Sequence, residues 1–185
     1  KLVRAGFGSN NVDHCTRLCH ASSVAALLEG IGSGAVSNPV RDVAKAEGVM
    51  IIGANPTVNH PVAATWIKNA ARNGTRLLVC DPRRTELSRH AHRFLQFRAG
   101  TDVAMLNAMM HIIIQEGLVN QAFIAERTSG FDALREHLKA YPPEAMAAIC
   151  GIDADTLREV ARLYASSRAS MILWGMGVSQ IGRAH

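Results

Sequence analysis

Gly48-Val49-Met50-Ile51-Ile52-Gly53-Ala54-Asn55-Pro56 is a short apolar run that breaks off on Gly, Asn and Pro. A run of this length, bounded by turn residues and without polar alternation, reads as a buried strand from Gly48 to Gly53. Two more runs share the pattern, Thr75 to Cys80 and Ser170 to Gly175. Helical patterns lie around them. Ser22 to Ile31 is rich in Ala and Leu and is ended by Gly32 and Gly34. His60 to Asn73 has Pro61 in its first turn and Gly74 as its stop. Thr101 to Glu116 has Thr101 as cap and Gly117 closing it. Further helices fit Gln121 to Arg127, Phe131 to Lys139 and Asp153 to Ser166. Strands alternating with helices predict an α/β fold, a three-layer Rossmann-like domain whose parallel sheet is flanked by helices.

Ligands of such folds sit beyond the carboxyl ends of the strands. Three loops fall there: Gly53-Ala54-Asn55-Pro56, Asp81-Pro82-Arg83-Arg84, and Gly175-Met176-Gly177-Val178-Ser179-Gln180. The first joins a strand to a helix, as phosphate-binding loops do, but it is not the GxGxxG of dinucleotide sites. Asp81 can accept from a ribose hydroxyl, and Arg83 can pair a pyrophosphate bidentately. On residues alone these loops support a nucleotide-like ligand, and ordinary βα turns stay open as the alternative.

The bulk numbers agree with one globular domain: 185 residues, 48% hydrophobic. No apolar run approaches the roughly 18 residues of a membrane span, the longest lying around Met109 to Ile114. Lys1 is followed by no charged-then-apolar leader, so the chain is expected to start within a longer protein or after processing. Four cysteines do not make a disulfide scaffold and predict a reducing, cytoplasmic setting. The net charge of +5 arises from 20 basic and 15 acidic residues. Much of it sits in Arg83, Arg84, Arg89, Arg93 and Arg98. Nucleic-acid binding would join such a stretch to stacking aromatics, yet aromatics are only 5% of the chain. An anionic cofactor carrying pyrophosphates uses the same charge more economically.

The chemistry concentrates in Asn10-Asn11-Val12-Asp13-His14-Cys15-Thr16-Arg17-Leu18-Cys19-His20-Ala21-Ser22-Ser23. A thiolate at Cys19 can hold a redox metal while the imidazole of His20 moves a proton beside it. Cys19 also precedes a helix, whose dipole favours a thiolate. His14, Cys15, Cys19 and His20 could instead form a zinc site. Cys15 and Cys19 could pair as a redox disulfide, or either could be a small buried hydrophobe. Asp102, in Arg98-Ala99-Gly100-Thr101-Asp102, is most simply a helix cap. A carboxylate is also what guanine needs, because its N1–H and N2–H2 are adjacent donors.

The Cys-His stretch resembles the active-site segment of the molybdopterin oxidoreductases, most of all that of formate dehydrogenases. The resemblance runs from about Lys1 to Gln180. It implies Cys19 as the single protein ligand to molybdenum or tungsten, beside two pterin dithiolenes, and His20 as the catalytic partner that handles the proton. It implies that Gly53, Asn55, His60, Asp81, Arg83, Gly100, Thr101, Asp102, Met176 and Gln180 line a bis-molybdopterin guanine dinucleotide cofactor. Formate is the implied substrate. Nitrate reductase is the enzyme alternative, and a non-catalytic α/β nucleotide-binding module is the alternative from another class.

The resemblance also implies that 1–180 is part of a larger catalytic subunit and that the tail 181–185 departs from the family. An iron–sulfur cluster, a substrate-orienting arginine and a domain completing the second pterin site would lie outside this chain, as would electron-transfer subunits. Taken alone, the chain is expected to be inactive and, with apolar surface exposed, to self-associate.

Overall fold

The computed structural model describes residues 1–180, so the expected departure at 181–185 lies outside the described residues. Its sheet has four strands: β1 (Gly48–Ile52), β2 (Arg76–Cys80), β3 (Arg93–Leu95) and β4 (Ser170–Trp174). All pairings are parallel and the order is β3-β2-β1-β4. The helices are α1 (Thr16–Cys19), α2 (Ala21–Ile31), α3 (Pro56–Asn59), α4 (Pro61–Arg72), α5 (Asp102–Gln115), α6 (Gln121–Arg127), α7 (Phe131–Leu138), α8 (Pro143–Cys150), α9 (Ala154–Ala165) and α10 (Met176–Ser179).

Side-chain alternation along each central strand divides the core in two. Met50 and Ile52 of β1, with Leu78 and Cys80 of β2, pack under Met105, Met109 and Ile112 of α5, Met146 of α8, and Leu157 and Val160 of α9. Val49, Ile51, Leu77 and Val79 point the other way, onto Ile67 and Ala70 of α4 and onto Val43 and Leu87 of two short 3-10 turns. Burial on both faces is why these strands read as continuous apolar runs. Leu78 is fully buried in the larger cluster. Leu78→Ala is expected to cost about 2–5 kcal/mol in a denaturant titration, through lost transfer energy and the cavity left behind.

The structure departs from the sequence expectations in four places. The run from Ser170, expected as a buried strand, is the edge strand β4, none of whose five residues is buried. The basic stretch contains a short edge strand, β3, in which only Leu95 is buried. The helix expected from His60 is preceded by a separate turn, α3, and His60 stands between the two as the N-cap of α4. Pro142 and Pro143 open a further helix, α8, because a proline in the first turn lacks only an N–H that would have no helical partner there. Among the described residues no helix is long and apolar enough to cross a membrane.

Candidate active site

The chain moves outward from β1 to β3, then returns to the far side of β1 as β4. Loops leaving two strands at such a reversal diverge, and the crevice between them is the natural ligand site of an open α/β sheet. A cleft of about 940 Å3 opens there. Nine of the residues expected at a site line it: Cys19, His20, Gly53, Asn55, His60, Asp81, Arg83, Gly100 and Met176. Thr101, Asp102 and Gln180 are not in its wall; Gln180 is exposed at the end of α10.

The loops after β1 and β4 interlock through backbone. Gly53 has a left-handed φ of +56° and its carbonyl accepts from Gly177 N at 3.0 Å. A methyl added at Gly53 would sit 2.8 Å from the Gly177 carbonyl carbon, and one added at Gly177 would sit 2.7 Å from Gly53 Cα. Met176, the residue before Gly177, is thereby held beside Cys19, whose thiol donates to its Sδ at 3.1 Å. Cys19 ends α1 and His20 caps the start of α2, so the pair sits at a break between helices. The His20 ring reaches α10 through Nδ1, 3.2 Å from Ser179 Oγ.

Beyond β2, the buried Asp81 accepts the Arg83 N–H at 2.8 Å, a local turn that presents the Arg83 side chain at the cleft. Arg83 has no ion-pair partner among the described residues. Burial, and then the neighbouring Asp81 charge, push the Cys80 thiol up to about 12, so it stays protonated through the neutral range. Cys150 is buried and Cys15 is exposed outside the cleft, which leaves Cys19 as the thiol in its wall.

Asp102 does not cap a helix. The N-cap of α5 is Thr101, and its hydroxyl turns back to donate to the Arg98 carbonyl at 2.6 Å. Asp102 is the first helical residue, only 2% exposed, with Oδ1 lacking any hydrogen-bond partner among the described residues. Burial raises its pKa against the lowering effect of nearby backbone N–H groups. The zinc reading finds no support. Among the described residues no three His, Cys, Asp or Glu side chains converge on a metal position, and His14 Nδ1 accepts from Thr16 N at 3.2 Å within its own turn. All four cysteines are free, so Cys15 and Cys19 are not joined. Ser23, Trp174 and Ser179, to which no motif in the sequence points, carry a hydrogen-bond network behind His20.

Fold and cleft together define an α/β domain with an open cleft at its strand-order reversal, walled by one thiol, two imidazoles and an arginine side chain. Residues 1–184 match the model of the molybdopterin oxidoreductase family, and the chain belongs to that family. It is 43% identical over 180 residues to formate dehydrogenase H of Escherichia coli, covering 97% of this chain and 25% of that protein. It is 36% identical over 191 residues to a periplasmic nitrate reductase of Desulfovibrio desulfuricans, covering 97% of this chain and 25% of that protein. Among solved structures, acetylene hydratase from Pelobacter acetylenicus superposes with a TM-score of 0.68 at 30% identity, over 75% of this chain and 20% of that one. The chain thus spans about a quarter of the length of the curated relatives it matches.

The family implies a molybdenum or tungsten pterin cofactor, and the donor set fits one. Cys19 could supply a single soft ligand, Arg83 has no ion-pair partner among the described residues and could meet a phosphate, and Gly53 and Gly177 cross backbone against backbone. Two residues on from Gly100, the orphaned Oδ1 of Asp102 is an acceptor still to be satisfied.

Proposed function

We propose that this chain is part of the catalytic subunit of a formate dehydrogenase, which oxidises formate to carbon dioxide by two electrons at a bis-molybdopterin guanine dinucleotide centre. One observation carries the reading: Cys19, His20 and Met176 meet in one wall of the cleft at the strand-order reversal. When bound, the metal–pterin group supplies the two-electron chemistry, and the protein binds, orients and tunes it. Cys19 would hold the metal. His20 would orient substrate and handle its proton. Arg83 and the loop bearing Asn55 and His60 would take pyrophosphate, Asp81 a ribose hydroxyl. Thr101 would hold the loop after β3 and Gln180 the turn after β4, and Asp102 would accept from the two adjacent donors of guanine. An iron–sulfur cluster, electron-transfer subunits and the rest of the subunit would be its partners, in a cytoplasmic setting consistent with the sparse cysteines.

The test is formate-dependent dye reduction by the complete subunit, with the 185-residue chain alone expected to show none. Identity to a periplasmic nitrate reductase favours nitrate reduction as the second reading. Oxidation of a reduced dye by nitrate, without turnover of formate, would establish it instead.

Asp102 yields a separate prediction. Its folded-state pKa is raised, so between the ordinary carboxylate value and that raised value the folded chain binds more protons than the unfolded one. Its contribution to stability therefore falls as pH rises through that window, and at neutral pH the buried charge is a net cost. Asp102→Asn is expected to stabilise the cofactor-free chain at pH 7, with the gain shrinking as pH falls toward 3.8 and below. Urea titrations across that range check this; a gain that grows on acidification would refute it.

A further inference from the structure

Ser179 is 3% exposed and lies where three other polar side chains meet. Its Oγ is 2.5 Å from Ser23 Oγ and 3.2 Å from His20 Nδ1. Ser23 Oγ also accepts the Trp174 indole N–H at 2.9 Å, and Ser22 Oγ donates to the Ser179 carbonyl. These bonds tie α2, which has no buried residue of its own, to β4 and α10.

The four groups differ in what they can do. An indole N–H only donates, a hydroxyl donates and accepts, and a neutral imidazole nitrogen does one or the other. Trp174 therefore fixes one end of the chain by donating to Ser23. If Ser23 then donates to Ser179, and Ser179 to His20 Nδ1, every hydrogen within the chain has an acceptor, and the Nε2–H is left to the open cleft that His20 lines. In the reverse direction His20 donates to Ser179 and Ser179 to Ser23. Ser23 then receives two donors, and its own hydrogen has no acceptor among the described residues. Leaving a part-buried donor unmade is the costlier arrangement.

We propose that Trp174, Ser23 and Ser179 form a one-way hydrogen-bond chain that keeps neutral His20 unprotonated at Nδ1 and protonated at Nε2. His20 then meets the cleft as a hydrogen-bond donor. The inference rests on the reading that His20 faces substrate, and it gives the ring a resting role different from proton acceptor. An Nε2–H suits an oxygen that only accepts, as in a small carboxylate anion. Ser179 and Ser23 are positioning residues, acting on the reaction through the ring they hold.

The test is 15N-histidine labelling of the 185-residue chain, with His20 identified by the signals that His20→Gln removes. Long-range proton–nitrogen correlations at alkaline pH should show a pyrrole-type Nε2 and a pyridine-type Nδ1. Ser179→Ala should lose this single-tautomer signature and Ser179→Thr should keep it, a contrast that a merely structural role would not produce. Trp174→Phe removes the fixed donor with little change in bulk, so it should also mix the tautomers and serves if Ser179→Ala fails to fold. A proton on Nδ1 in the parent chain, or an unchanged signature in folded Ser179→Ala or Trp174→Phe, would overturn the proposal. The signature is read without cofactor, so the two readings fail separately. A complete subunit that ignores formate while the signature holds faults the formate reading alone.

Discussion

Cys19→Ser in the complete subunit is expected to lower formate-dependent dye reduction by more than about 100-fold, since even outer partners of metal ligands cost about 10–100-fold when removed. The hydroxyl of serine is a far weaker acid than a thiol and its oxygen a harder donor than sulfur, so it would replace a thiolate poorly as a metal ligand. It also leaves the Met176 thioether without its 3.1 Å sulfur neighbour. Stability should hardly move. Cys19 belongs to neither core cluster and sits partly exposed at the end of a one-turn helix. Substitutions of that kind stay within about 0.5 kcal/mol, a shift of roughly 1–2 °C in Tm for a domain of this size. Metal analysis should show molybdenum or tungsten falling with activity. Activity kept within tenfold, at undiminished metal content, would remove Cys19 as the ligand.

The expected contrast between a kept fold and lost chemistry follows from how the sequence encodes each. β1 and β2 are legible because both faces are buried, which forces unbroken apolar runs from Val49 to Ile52 and from Leu77 to Cys80. The position of the cleft follows from the same strands, whose carboxyl ends are marked by Gly53 and Asp81. What escapes the sequence is set by long-range packing. β3 is an edge strand of three residues with a single buried side chain, too short to impose a pattern on its basic surroundings. Ser179 acquires its meaning only when α10 meets α2, which brings it to His20, 159 positions earlier in the chain. Asp102 looks like a cap because capping is the commonest use of Asp at a helix start. Only the burial of an oxygen with no partner separates it from that use.

Gly53→Ala is expected to destabilise the chain by about 2–5 kcal/mol, the sum of a left-handed backbone penalty of about 1–2 kcal/mol and an overpacking cost of about 1–3 kcal/mol. Gly74 provides the control. Its φ of +100° is also positive, but an added methyl there meets nothing within 4 Å, so Gly74→Ala tests backbone strain without contact. At Gly53 the same methyl meets the backbone of Gly177 and Val178 at 2.8–2.9 Å, and no side chain can swing aside to admit it. The excess of Gly53→Ala over Gly74→Ala in urea titrations therefore measures the crossing of the two loops. Gly177→Ala presses on the same crossing from the other side, so once either methyl has forced the loops apart the second should add less than its separate cost. Equal costs at Gly53 and Gly74 would mean that the loops are not locked. If they are, the lock bears on chemistry as well as stability. Met176 reaches Cys19 from the same turn that makes the crossing. Displacing that turn moves the thioether away from the thiol without altering either residue.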